Sequence, residues 1–345
     1  MFSKAYSNPL LCALAAVAIA TAGCGRSAQT AAPAQDGNGG APALLKVGFK
    51  LDWYPTAEHG GFFQALVKGY YRAAGLDVTI LPGGPGAYPL PFVATGRAEF
   101  GLGRFDDVIF AVRQGLPLVA VCAQMEHDPQ AIMVHADGPV KSFKDLNGCS
   151  VMSIPGSNWV NYVQKRFNVR FNIIPMDYGL GRFIANKDFI QQCFISSEPF
   201  FVEQQGIKTR VLLIASGGYD PYRVVVTNRT FAQSHPEAVR AFVAATIRGY
   251  SEFLNGDGSE ARDRIQKENP SQSSSLMDYT IATLKRYKLV EGDSAKGERM
   301  GLLTPERART MVQTLVDLKV LEAPVPIEDF VSFNFLPPAT AGAGR

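Results

Sequence analysis

The chain has 345 residues, 46% of them hydrophobic and 10% aromatic, with a formal net charge of +3. That length exceeds what one core usually fills, so two lobes are expected. Without a dense Lys/Arg cluster nothing argues for nucleic acid as a partner, and beyond the first 24 residues no run of ~18 apolar residues is present to span a bilayer.

The chain opens with Lys4, then the apolar run LLCALAAVAIA, then Thr21-Ala22-Gly23-Cys24. This is the order of an export signal: a positive start, a short apolar stretch and a cleavage site of small residues. At about 12–14 residues the run is short for a permanent membrane span. The cysteine at the cut resembles a bacterial lipobox. Residues 1–23 are therefore expected to be a lipoprotein signal peptide and Cys24 the lipidated first residue. The mature protein would sit in the periplasm or at the cell surface, anchored to the membrane by lipid. Residues 24–43 are mostly Ala, Gln, Gly, Asn and Pro, a composition that cannot bury a core and reads as a flexible tether. Residues 339–345 read as a loose tail.

From Leu44 strands and helices alternate. KVGFKLDW reads as a strand. Residues 58–74 carry Phe62, Phe63, Leu66, Val67, Tyr70 and Tyr71, a stripe that predicts one amphipathic helix closed by Gly75. LDVTILP is the next strand, GGPG a turn and AEFGLGR a third strand. DVIFAVRQG is a short helix with Asp106 and Asp107 at its positive end. LPLVAVCAQ and AIMVHA are strands. The rhythm then repeats with a helix around SFKDLNG, the strand CSVMSIPG, a helix from Ser157 to Phe167, the strand RFNIIPM, a helical stretch to about Gly206 and the strand RVLLIAS. YRVVVTNR reads as a strand that returns to the first lobe. Helices follow, one with Pro236 in its first turn and one capped by Thr304 with Pro305 behind it. Alternating strands and helices mean βαβ units in an α/β fold. Cys122, Cys149 and Cys193 lie in apolar surroundings and read as buried free thiols, one disulfide among them remaining open.

In open α/β sheets ligands gather beyond the carboxyl ends of the strands. The segments to examine are Asp52 to His59, Gly83 to Gly86, Arg104 to Asp107, Met125 to Asp128, Pro155 to Trp159, Glu198, and Tyr219 to Tyr222. Aromatics, small residues and mixed charges suit a small, flat, polar ligand. Trp53 offers an indole face or fills the core. His59 donates to a ligand or caps a helix. Gly84, in the glycine turn, lets backbone approach a ligand, but without a Gly-Lys-Ser/Thr ending it is no nucleotide loop. Arg104 and Asp106 meet a ligand or each other. Ser157, Asn158 and Trp159 open a helix whose free N–H groups suit an anion or a carbonyl oxygen. Glu198 needs a partner, a ligand amino group or an arginine. Tyr219 and Tyr222 complete the candidate set. The four histidines lack metal-ligand spacing and Gly-x-Ser-x-Gly is absent. A pocket is expected, with no metal, no cofactor and no catalytic residues.

Residues 51–78, LDWYPTAEHGGFFQALVKGYYRAAGLDV, resemble the solute-binding proteins of bacterial ABC importers in the thiamine-pyrimidine-precursor group and, more loosely, their nitrate, taurine and sulfonate relatives. The likeness continues through ATGRAEFGLGRFDDVIFAVRQGLPLVAV, SFKDLNGCSVMSIPGS and VVVTNRTFAQSHPEAVRAFVAATIRGY. It implies a type II periplasmic-binding-protein fold: two α/β lobes around a ligand cleft, joined by two crossing segments, with residues 44–130 plus 222–338 in lobe one and 131–221 in lobe two. It implies delivery of a small heterocycle to an ABC permease in the inner membrane, with a small anion such as a sulfonate, taurine or nitrate as the alternative ligand. Trp53 and His59 match the pattern directly, while Thr56 stands where Asn is usual. Fungal relatives on this fold are pyrimidine synthases that use a Lys and a nearby His. Gly103 and Asp107 stand at those positions, and residues 217–222 lack the cysteines of the fungal run, so synthesis is not expected.

Overall fold

In the computed structural model, which describes residues 43–338, the chain builds one sheet, leaves it for a second, and comes back. The strands are β1 (Leu45–Lys50), β2 (Leu76–Leu81), β3 (Phe100–Arg104), β4 (Leu118–Met125), β5 (Gln130–His135), β6 (Ser150–Ser153), β7 (Asn172–Pro175), β8 (Ile190–Phe194), β9 (Thr209–Leu213) and β10 (Arg223–Asn228). The first sheet has the order β2-β1-β3-β10-β4 and the second β7-β6-β8-β5-β9. In each, one strand runs antiparallel to the rest: β10, the last of the first sheet in chain order, between β3 and β4, and β5, the first of the second, between β8 and β9. Residues 126–129 carry the chain to the second sheet and residues 214–222 bring it back. The expected signal segment, Cys24, the tether up to 42 and the tail from 339 lie outside the described residues.

The helices are α1 (Gly60–Val67), α2 (Tyr70–Ala73), α3 (Pro89–Ala94), α4 (Phe105–Arg113), α5 (Asn158–Phe167), α6 (Gly181–Ala185), α7 (Glu198–Glu203), α8 (Arg229–Ser234), α9 (Pro236–Asn255), α10 (Ser259–Glu268), α11 (Ser274–Arg286) and α12 (Pro305–Asp317). The stripe at 58–74 does not make one helix. A 3-10 turn at Ala57–His59 leads into α1, and Gly69, at φ +69°, starts α2 in a new direction. The left-handed backbone that glycine tolerates ends the first helix there. Phe62, Phe63 and Tyr71 are nevertheless buried as the stripe requires. They meet Phe49, Phe100 and Phe242, with the Phe100 and Phe242 rings stacked at 4.1 Å. The α1 and α9 backbones touch: a Cβ on Gly249 would fall 2.1 Å from the Gly61 carbonyl oxygen.

Three further elements depart from the sequence reading. The stretch read as helical up to Gly206 contains β8, the middle strand of the second sheet. Its sequence IQQCF shows no alternation because both faces are covered, and even Gln191 and Gln192 are buried. The turn after GGPG runs into α3, which lies on Gly101 and Gly103 of β3. A Cβ on either glycine would come within 2.8 Å of Val93 or Leu90. The segment at 143–146 is a 3-10 turn, with Ser142 and Asp145 forming a capping box. Cys122 and Cys193 are buried free thiols, whereas Cys149 is partly exposed.

Candidate ligand-binding site

The chain turns that follow β1, β2 and β3 stand side by side. Gly83 donates its N–H to the Trp53 carbonyl at 2.9 Å, and a Cβ on Gly83 would lie 2.5 Å from the Leu51 oxygen and the Trp53 nitrogen. Only glycine allows that approach. Gly84 follows at φ +154°, and a Cβ there would lie 3.1 Å from the Tyr54 ring. Trp53 is thus held at the end of β1. Its ring meets Tyr178, from the loop after β7, at a centroid distance of 5.4 Å. Tyr54 adds an edge at 5.6 Å. Tyr178 is 50% exposed and sits at φ +62°, a conformation uncommon for a bulky residue. The aromatic pair therefore joins the first sheet's loops to the second's.

Beneath it lies a charged floor. Arg223, the first residue of β10, donates to Asp52. Burial works to raise the Asp52 carboxyl, but Arg223 and His59 outweigh it and hold it far below the usual range. His59 is 2% exposed, with Nε2 3.2 Å from Asp52 Oδ1 and Nδ1 3.3 Å from the Thr56 nitrogen and hydroxyl. Both ring nitrogens are engaged, so His59 caps the turn and fixes Asp52. Glu58 accepts from Ser196, at the end of the second sheet's β8, and burial raises its carboxyl.

The start of α4 forms the other side. Asp106 accepts from Arg104 Nε at 3.3 Å, Asn158 Nδ2 at 3.0 Å and the Tyr219 hydroxyl at 2.6 Å. Burial opposes ionisation, yet Arg104 and these donors keep the carboxyl below its ordinary value. Arg104 also bonds Gln130 and lies 3.5 Å from Asp128. Asp107 differs from all of these. It is exposed, and among the described residues its carboxylate has no hydrogen-bond or ion-pair partner. Partial desolvation among its neighbours, then the adjacent Asp106 carboxylate, raises its carboxyl above the usual range.

Trp53, Gly84, Arg104, Asp106, Asn158 and Tyr219 belong to this constellation, with Arg104, Asn158 and Tyr219 each donating to Asp106. Trp159 does not face it. It is 0% exposed in the second sheet's core, stacked with Phe171. Ser157 precedes α5 without capping it by its side chain; its hydroxyl donates to the Ile154 carbonyl at 2.8 Å. Among the described residues Glu198 has no arginine partner. It accepts the Phe194 N–H at 2.9 Å within its own turn, and burial lifts it to about 7. Tyr222 is buried with the Arg307 guanidinium 3.7 Å from its ring centre. The sequence reading passes over Tyr178, Ser196 and Arg223, and it marks the segments holding Asp52, Glu58 and Asp107 without singling those residues out. Asp107 and Tyr178 follow strands directly, and that position is the signal for them.

A family model described as "NMT1/THI5 like" matches residues 56–257. The chain belongs to the NMT1/THI5-like family. Family relatives include a formylaminopyrimidine-binding protein of Halalkalibacterium halodurans, 27% identical over 60% of this chain and 66% of that one. The riboflavin-binding protein RibY of Chloroflexus aurantiacus is 24% identical over 66% and 67%. A 4-amino-5-hydroxymethyl-2-methylpyrimidine phosphate synthase of Saccharomyces cerevisiae, THI11, is 27% identical over 63% and 69%. Among solved structures, the periplasmic aliphatic sulphonate-binding protein SsuA of Escherichia coli superposes with a TM-score of 0.63 at 16% identity, covering 88% of this chain and 97% of that one. The NMT1/THI5-like chain therefore has the periplasmic-binding-protein fold expected from its sequence.

Proposed function

We propose that this protein is the solute-binding component of an ABC importer, working outside the cytoplasm. Its cargo is a small flat heterocycle that carries a hydrogen-bond donor beside an acceptor on one edge, as an aminopyrimidine does. Asp107 carries this reading. It is an open carboxyl with no protein partner, in a floor where the neighbouring acids are already bonded. Trp53 and Tyr178 supply flat faces for such a ring. The formylaminopyrimidine- and riboflavin-binding relatives take flat heterocycles of this kind. A sulfonate or nitrate fits less well, because Asn158, the first residue of α5, already bonds the Asp106 carboxylate. Synthase chemistry also fits poorly, since Gly103 stands where the fungal enzymes place their lysine.

A thermal-shift panel on the purified domain tests this. At ~100 times its dissociation constant a ligand adds ~2.7 kcal/mol of stability. Aminopyrimidines or flavins should stabilise, and taurine, alkanesulfonates and nitrate should not; stabilisation by the anions alone would overturn the reading. Trp53→Ala should weaken the stabilising ligand on the order of tenfold, through lost stacking. The lipobox-like run ending at Cys24 supports lipid anchoring. Expressed in a bacterium, the protein should partition with membranes, and Cys24→Ser should move it to the soluble fraction.

A further inference from the structure

Away from the aromatic mouth, the two crossing segments meet at one imidazole. His127 lies on the first, residues 126–129, and Asp220 on the second, residues 214–222. His127 Nδ1 is 2.6 Å from Asp220 Oδ2, and Nε2 is 3.0 Å from Glu298 Oε2, in the loop before α12. A neutral imidazole has one N–H and one lone pair, so it can donate to only one of two carboxylates. Two carboxylate oxygens at these distances call for the imidazolium. The remaining contacts bind the same three pieces of chain. The Asp128 N–H donates to Asp220 Oδ1 at 2.9 Å, and Arg307 Nη2 donates to the carbonyls of Glu126 at 2.7 Å and Asp220 at 3.2 Å. The loop lies hard against the crossing: a Cβ on Gly292, at φ +70°, would come within 2.7 Å of Glu298 and 3.0 Å of Glu126.

We propose that His127 is a proton-operated tie across the hinge: as an imidazolium it joins both crossing segments to the 292–299 loop, and on losing its proton it releases one carboxylate. The hinge is then stiffer in acid and looser in base. The charged and titratable groups facing His127 are Asp220 from the second crossing segment, Glu298 from the loop and Arg307 from α12; Arg307 in turn meets Glu126 of the first crossing segment and Tyr222, the last residue of the second. The two carboxylates favour the protonated ring, with the Asp220 hydrogen bond foremost, while burial and Arg307 oppose it; the balance raises its pKa. A group raised on folding contributes most below its unfolded value, near 6.5, and that contribution disappears as pH climbs through the folded value. This device depends on the hinge of the fold and not on which solute the cleft takes.

Hydrogen exchange of residues 126–129 and 214–222, corrected for intrinsic rates and read without ligand at pH 6 and pH 9, tests the tie. In the unaltered protein, protection should fall about tenfold from pH 6 to pH 9. His127→Lys, which keeps a charge that donates to both carboxylates, should remain protected at both. His127→Gln should be unprotected at both. In parallel, imidazole nitrogen NMR of the unaltered protein, needing no variant to fold, should show a ring protonated on both nitrogens at pH 6. A neutral His127 at pH 6, or the same pH dependence in the Gln and unaltered proteins, would overturn the proposal.

Discussion

Arg223→Met should lower unfolding stability at pH 7 by about 3–5 kcal/mol, the usual cost of removing one partner of a buried ion pair. Arg223 and Asp52 are mostly enclosed, at 10% and 20% side-chain exposure. Methionine fills the space but leaves the Asp52 carboxylate with only His59 beside it. The pH dependence separates this from lost packing. In the unaltered protein the Asp52 carboxyl is held below its unfolded value, so its contribution is complete above about pH 4 and fades as pH falls further. In the variant His59 is the one side chain left to oppose burial, so the Asp52 carboxyl rises from its native position. The gap between the two proteins should therefore be widest at pH 7–8 and narrow as pH falls toward and below 4. Adding Asp52→Asn to Arg223→Met should recover part of the loss, as removing a stranded charge does. Urea unfolding at a series of pH values reads all three. A gap independent of pH would mean that the Asp52 pair is not what Arg223 contributes.

The pairing of Asp52 with Arg223 also marks where sequence reasoning stops. The partners are 171 residues apart, and an arginine opening the strand RVVVTN reads as a solvent-facing end. Nothing local says that β10 slips between β3 and β4 with Arg223 opposite Arg104 and Met125. That β10 returns to the first sheet was nonetheless legible, because a run of β-branched residues followed a second complete set of strands. Strand-end logic found Trp53 and the 104–107 segment for the same reason: a βα turn is a local feature. It failed at the head of α5. There Trp159 and Val163 are spaced four apart and both are fully buried, so the helix's apolar stripe, rather than its position after a strand, decides where the indole goes. It missed Tyr178 because partnership with Trp53 depends on how the loops of two sheets meet.

Asp107 carries the second large effect, on affinity. The edge of an aminopyrimidine sets an N–H donor beside a ring-nitrogen acceptor. An ionised carboxylate offers two acceptors and leaves the ring nitrogen opposed, whereas a protonated carboxyl offers one donor and one acceptor and matches both. The Asp107 carboxyl is raised above the ordinary aspartate range, so the matching form persists to higher pH than it would on a free side chain. Affinity for an aminopyrimidine ligand should then be level in acid and fall roughly tenfold per unit once pH passes that raised value, since one proton is taken up on binding. An asparagine presents the same donor–acceptor pair that reads adenine in DNA. Asp107→Asn should therefore keep the affinity found in acid and remove the decline at higher pH. Asp107→Leu, which offers neither group, should lose about 5- to 150-fold, the discrimination attached to one good two-point pair. Calorimetric titration across pH distinguishes the possibilities. Affinity that rises with pH, and falls on Asp107→Asn, would mean that the ionised carboxylate is the partner and that the ligand brings a positive charge to it.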